Sequence, residues 1–561
     1  MNSNTVIANS DRLKASRRDF VNNSYNAAKS ENNVRFLEGD KKATSEYIYD
    51  NQKEDAAGIV NEYYVNRRRV ISITKKTKVG ADGLMIEVAK QMTTHPDDDF
   101  VVNATNVRIL TGMSNASWEK DMKEKAPSCF KDKIFHHGQL KNSQLRELRD
   151  ALIIIDELDT GDKECQVLHK TLKEAGVLNV QYMEQYNIRF MFISATMVKE
   201  LYELYRWGEL HFLYTMSIPE SYIGHTDFLH LGIIQEFYPI TSSAAASKWI
   251  QEDILDNYGH DYRIHIIRAN LKTSSIIQNE CIQRGIDCRN HTSSDKVEEE
   301  VLRELFEGDL DRHVVLIVKG FFRRANLIPN DWKLRIGATH ELYTKTVDNN
   351  VQIQGLPGRM TGYWRHVIES GHKTGPYRTS LTAIQQYEAA YSDPFGKNSY
   401  QTAGFKKTEG KITKSTPVLV TPKNIAGLVP KNRPNDDDID NKAQVPIIAQ
   451  VGNDEVRRIS TLNDAVAKHN IVREILKSRL REGDQRQKDL AQRIDSFNVG
   501  QVTTPGAQGG DRDRQIKGPV KAVTEHKKYS VGVTDKTVNS FQAYLDTKDG
   551  RIIFIIYCGA D

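Results

Sequence analysis

Two adjacent carboxylates, Asp156 and Glu157, follow directly on four aliphatic residues, Leu152 to Ile155, in the stretch ALIIIDELDT that runs from Ala151 to Thr160. An acidic pair so placed can hold Mg²⁺ through water and polarise an attacking water, the two tasks of phosphoanhydride hydrolysis. The same residues also suit a strand that merely ends in a polar loop, and the neighbouring segments decide between the two.

The aliphatic run predicts a strand buried on both faces, as in a parallel sheet. Its carboxyl end is where open α/β sheets place their ligands. Upstream, Ser45 to Tyr64 has helical spacing, with Ile48, Ala56, Ile59 and Val60 on one side. A β-branched strand, Val70 to Thr74, then leads through a glycine-containing loop, Lys75 to Gly83, into a predicted helix from Leu84 to Met92. Strand, glycine loop and helix form the layout of a phosphate cradle, in which backbone N–H groups face the anion. A second strand is expected over Phe100 to Ala104. Another is expected over Arg189 to Ile193, ending in Ser194-Ala195-Thr196. A second α/β unit starts near Phe237, with strands at 263–268, 286–289, 313–318 and 334–339 and helices at 274–284 and 296–306. Alternation at this spacing argues for a second parallel sheet.

With 561 residues the chain exceeds one core, and three domains is the expectation. A net charge of +4 is too small to argue for nucleic acid by itself, so a polyanion site must be a local patch. Five cysteines without paired CxxC spacing suggest neither zinc nor a disulfide framework and fit a reducing compartment. No apolar run approaches a membrane span, and the Asn- and Ser-rich start lacks a signal-peptide core. These features predict a soluble, intracellular protein.

The order of segments resembles that of superfamily 2 helicases, closest to the divergent helicases of large DNA viruses and phages. The resemblance covers roughly residues 45–400. Three motifs carry it: Asp156-Glu157, Ser194-Ala195-Thr196 some forty residues later, and Gln354-Gly-Leu-Pro-Gly-Arg359 late in the second unit. The phosphate loop departs from the family form. Gly80-Ala81-Asp82-Gly83 stands where Gly-Lys-Thr-Gly is usual, so a small apolar residue and a carboxylate replace the phosphate lysine and the metal-binding hydroxyl. The arginine segment also departs: Gln354 to Arg359 is one residue longer than usual, and Tyr363 lies near the place of the second arginine.

The resemblance implies an α/β fold of two tandem RecA-like parallel-sheet domains, with ATP and Mg²⁺ bound between them. It implies that Asp156 holds the metal, that Glu157 activates water, and that Arg359, beside Gln354, stabilises the transferring phosphoryl group. Gln52, Thr77, Lys78, Gly80, Ala81, Asp82, Gly83 and Leu84 are the nucleotide-binding positions. Ser194 and Thr196 couple hydrolysis to movement. Asn103, Thr111 and Ser114, in loops after strands, with Lys319 and Arg323 near Lys319-Gly320-Phe321, are the nucleic-acid contacts. Lys131 to Lys141, with His136 and His137, reads as a basic loop.

The expected organisation is a polar arm over 1–44 with at most a short helix, RecA-like domains over 45–236 and 237–400, and a linker with a small α+β accessory domain over 401–561. That last part is expected to begin with an extended arm over 406–433. It continues with a charged helix over 461–494, a flexible loop over 501–519 and a strand over 551–557 after the turn residues Asp549-Gly550. The leading expectation is an ATP-dependent helicase acting on DNA ahead of RNA, with no membrane partner and with the C-terminal domain open to a protein partner. The alternative is a catalytically inactive, helicase-like nucleic-acid-binding or structural protein, because of Ala81 and Asp82. Those two residues are equally consistent with changes that silence an active enzyme.

Overall fold

The computed structural model describes residues 3–97, 101–114, 116–292, 294–319, 321–322, 328–392, 405–408, 411–431, 501–503, 513–515, 541–545 and 552–556. The aliphatic runs form two six-stranded sheets in which every pairing is parallel. The first comprises β1 (Val70–Thr74), β2 (Val107–Thr111), β3 (Ile134–Phe135), β4 (Ala151–Asp156), β5 (Ile188–Ser194) and β6 (His211–Thr215), in the order β3-β2-β4-β5-β1-β6. The second comprises β7 (Ile234–Glu236), β8 (Ile264–Arg268), β9 (Asp287–His291), β10 (Val314–Val318), β11 (Ile336–His340) and β12 (Tyr377–Thr379), in the order β7-β12-β11-β8-β10-β9. This is a tandem RecA-like α/β architecture.

Burial on both faces explains the near-continuous hydrophobicity of the central strands. All residues of β1, β4, β5, β8 and β10 are buried. Alternate side chains of β4 enter opposite faces: Leu152 and Ile154 join one cluster, Ile153 and Ile155 the other. The strand order inserts β5 between β1 and β4, and the register sets Thr74 beside Ser194 and Asp156 beside Ile193. Three loops that matter chemically therefore leave the same edge of the sheet side by side.

Several elements differ from the sequence reading. Of the strand expected over Phe100 to Ala104, the described residues 101–104 are not strand: Val102 N–H bonds the carbonyl of Met92, and Asn103 caps a short turn over 104–106. The strand is β2, whose signal is broken by Arg108, a buried residue that bonds three backbone carbonyls. The N-terminal arm contains one long helix, α1 (Ser3–Leu37). Its few apolar contacts suffice to dock it: Val21 and Tyr25 enter the core, Tyr25 OH donates to Glu87, and Ser24 accepts from Cys129 N–H. After the second sheet the chain returns to the first. Val418, Leu419 and Val420 are buried there, and Ala426 pairs with Asn179. Part of the expected extended arm is thus core.

Residues 432–561 form a separate compact unit. Its described strands pair antiparallel: 501–503 with 513–515, and Phe541–Leu545 with Ile552–Ile556, the latter inside the strand expected at 551–557. The helix expected over 461–494 and the Asp549-Gly550 turn lie outside the described residues.

Candidate active site

At the end of β4 the backbone turns through Glu157 in the left-handed region (φ 51°) and continues as a 3₁₀ turn, Leu158–Thr160. This kink sends the two carboxylates apart. Asp156 Oδ2 accepts the indole N–H of Trp118 at 2.8 Å, and its Oδ1 is buried with no hydrogen-bond partner. Burial pushes the Asp156 carboxyl up to about 6; Lys75 opposes that rise, and the charges of Glu157 and Asp82 add to it. Glu157 Oε1 receives Lys75 Nζ at 3.1 Å. Its Oε2 lies 3.0 Å from Ser194 Oγ and 3.4 Å from Gln354 Nε2. Ser194 Oγ is also 2.8 Å from Asp159, and Thr196 Oγ1 donates to the same carboxylate at 3.0 Å. Asp159 was missed in the sequence. The signal was the spacing Asp-Glu-x-Asp, which a one-turn 3₁₀ segment folds back onto the strand end.

The phosphate loop joins β1 to the helix α3 (Ala81–Thr94). Thr77 Oγ1 is 2.9 Å from Thr361 Oγ1 of the second sheet's half. Lys78 takes a left-handed conformation (φ 58°) that favours glycine, and Gly80 does so too (φ 89°). Gln52, on the helix α2 (Asp50–Tyr64), donates from Nε2 to the Gly80 carbonyl at 2.6 Å and accepts Tyr49 N–H at 3.0 Å. Its amide therefore braces the loop in this conformation. Gly83 makes room for it, since a Cβ there would lie 2.4 Å from Gln52 Oε1.

Ala81 is nearly buried and offers no charge, and Leu84 is a core residue. Asp82 pairs with Lys125 from the helix α4 (Ala116–Lys125). Burial would raise the Asp82 pKa; Lys125 and the N–H groups of Asp82 and Gly83 lower it further than burial raises it. A carboxylate of the chain thus faces the N–H groups that would otherwise face phosphate. Lys76 turns aside to Glu388, above the ring of Tyr391 at 3.7 Å.

The second sheet presents Arg359 from a short helix, Leu356–Met360. A buried ion pair anchors that helix: Arg268 Nε to Glu341 Oε2 at 2.8 Å, with Glu341 Oε1 accepting Leu356 N–H at 2.6 Å. Gly355 is required there, because a Cβ would meet Glu341 Oε1 at 2.3 Å. Arg359 is 2% exposed, and its Nη2 donates to Gln354 Oε1 at 3.0 Å. Gln354 thus links the guanidinium to Glu157. Thr361 Oγ1 donates to the Thr77 carbonyl at 2.9 Å, and Tyr363 and Tyr222 donate to the Val79 and Thr77 carbonyls at 2.7 and 2.6 Å. The two halves meet around the loop.

The expected nucleic-acid contacts are not gathered. Asn103 caps its own turn at the amino end of β2, opposite the site. Thr111 is fully buried and bonds the Asp156 carbonyl at 3.0 Å, so it braces the acidic loop from inside. Ser114 and Lys319 are exposed, and Arg323 lies outside the described residues. A cavity of about 1000 Å³ opens between α1, α4, the residues around β3 and the helix Glu299–Glu307, lined by Arg35, Lys120, Lys123, Lys131, His136 and Arg303 and also by Glu31, Asp40, Glu119, Glu124 and Glu299, which pair with several of them. Lys131 and His136 belong to the basic stretch visible in the sequence.

No protein-family model matches the chain, and neither does any curated protein. Among solved structures, it is similar to S. cerevisiae Dbp5 bound to RNA and ADP BeF3, at 12% identity over 63% of this chain and 93% of that one, with a TM-score of 0.35. It is similar to Mss116p bound to ssRNA and AMP-PNP, at 12% identity over 80% and 90%, with a TM-score of 0.37. The E. coli DEAH/RHA helicase HrpB aligns at 11% identity over 79% and 60%, with a TM-score of 0.37. At such scores the likeness adds nothing to the strand order, which establishes the fold by itself. No helix among the described residues is long and apolar enough to cross a membrane.

Proposed function

We propose that this chain is a helicase-like ATPase of superfamily 2 type that hydrolyses ATP between its two sheets to move along or remodel nucleic acid. One observation carries the reading: the chain of contacts from Lys75 through Glu157 and Gln354 to Arg359, which ties the acidic loop of one sheet to the arginine of the other. Glu157, held by Lys75, Ser194 and Gln354, would accept a proton from an attacking water. Arg359 would face the phosphoryl group in transfer. Asp159, bonded to Ser194 and Thr196, would carry the state of the acidic loop to the strand end.

Mg²⁺ fits at Asp156, whose Oδ1 is buried without a partner. Asp82 stands in place of the usual second oxygen donor, and no group of three His, Cys, Asp or Glu among the described residues could hold a metal. Other oxygens must then come from phosphate and water. When bound, the cation would neutralise charge on the phosphates.

DNA is the first substrate to test, with RNA beside it. A second reading, an inactive nucleic-acid-binding protein, is favoured by Asp82 occupying the helix N-terminus. Nucleic-acid-stimulated ATP hydrolysis, measured beside an Ala81→Lys, Asp82→Thr variant, separates them. Hydrolysis by the chain as it stands supports the enzyme, hydrolysis only by the variant marks a silenced ATPase, and hydrolysis by neither supports the inactive protein.

A further inference from the structure

The loop lacks its lysine at Ala81, yet two lysines at the junction between the sheets, Lys78 and Lys333, bond no carboxylate among the described residues. Lys78 has no hydrogen-bond or ion-pair partner among the described residues. Lys333, on the helix Asn330–Arg335, is 2% exposed, and its ammonium donates only to neutral oxygens: Asn330 Oδ1 at 2.9 Å and the Thr361 carbonyl at 2.7 Å. An ammonium has three donors, so one remains.

Lys333 reaches the loop that carries Lys78 from the opposite sheet. Thr361 and Tyr363 bond the carbonyls of Thr77 and Val79, the residues on either side of Lys78. Lys333 Nζ rests on the carbonyl of that same Thr361 and fills the space beside Gly362, where a Cβ would lie 2.7 Å from it. This is the segment that lacks the family's second arginine. Burial and Arg359 lower the pKa of both lysines, and Lys333 lowers that of Lys78 further. Lys333 is buried with no carboxylate bonded to it, which is costly for a charge, and an anion removes the cost.

We propose that Lys78 and Lys333 together bind a polyphosphate, one from each sheet, in place of the lysine absent at Ala81. The proposal rests on the nucleotide reading above and deepens it. Closure of the two sheets becomes part of binding, because half of the phosphate charge comes from the second. A lysine at a left-handed position usual for glycine is then retained for its charge.

The test is calorimetric binding of ATP and of sodium tripolyphosphate to the full chain and to Lys78→Gly and Lys333→Met, with thermal melts of each. Glycine suits the backbone at 78, and methionine preserves volume at 333. The expected result is that the unaltered chain binds both ligands and that each variant loses tenfold or more for both, with ligand-free melting unchanged or raised. Lys78→Arg should retain binding. A variant that keeps full affinity, or binding of ATP but not tripolyphosphate, overturns the proposal while the nucleotide reading stands. Binding of neither ligand by the unaltered chain overturns both.

Discussion

Replacing Glu341 by Gln leaves Arg268 buried beside a neutral amide. The pair is 2.8 Å apart, with side-chain exposures of 4% and 2%. Breaking such a pair by removing one charge costs about 3–5 kcal/mol. The glutamine oxygen can still accept Leu356 N–H, and Arg268 keeps its bonds to the Phe321 and Phe322 carbonyls, so the low end, about 3 kcal/mol, applies. With a urea slope of about 2–3 kcal/mol/M, the midpoint falls by about 1 M. Trp249 and Trp364, both buried in the half built on the second sheet, report the transition by fluorescence. An Arg268→Met, Glu341→Gln double variant should recover part of the loss, since no charge is then stranded. A single-variant cost below about 1 kcal/mol, or a double variant worse than the sum, would refute the view that this pair anchors the arginine helix.

Three further outcomes are expected. Lys333 is pushed down to about 7 by burial and then by Arg359. Between there and the ordinary lysine value of about 10.4 the unfolded chain binds more protons, so stability should rise with pH. The gain is lost as pH falls through about 7, with a limiting slope of about 1.4 kcal/mol per unit; urea midpoints from pH 7 to 10 should show the rise, and Lys333→Met should flatten it. Gly83→Ala should cost about 1–3 kcal/mol by forcing Gln52 off the Gly80 carbonyl, and a melt equal to that of the unaltered chain would contradict the packing. Ser194→Ala should leave the melt within about 1.5 kcal/mol while weakening the link between Glu157 and Asp159, read as loss of nucleic-acid stimulation with basal hydrolysis retained.

The buried strands were legible where aliphatic residues run unbroken: β1 matches residue for residue, and β4 and β5 within one or two. They were not legible where a functional or edge position interrupts the run. Arg108 sits inside β2, and β3, β6, β7 and β12 are short or flank the sheet. α1 carries too few apolar residues for its length to show a core-facing stripe. In the site, the acidic pair, the Ser-Ala-Thr segment and Arg359 could be read because each motif is local. Lys333, Glu341, Arg268 and Lys125 could not, because their roles arise only when distant segments meet. Asn103 and Thr111 were polar residues near strands, and polarity alone does not distinguish a cap or an internal brace from a surface contact.

The most direct measurement is single-turnover ATP hydrolysis in the presence of nucleic acid, comparing the unaltered chain with Arg359→Ala. A guanidinium that acts on the transferring phosphoryl group is worth about a thousandfold or more. The account predicts hydrolysis by the first and a loss of that order in the second with binding preserved. Equal rates in the two proteins would contradict it.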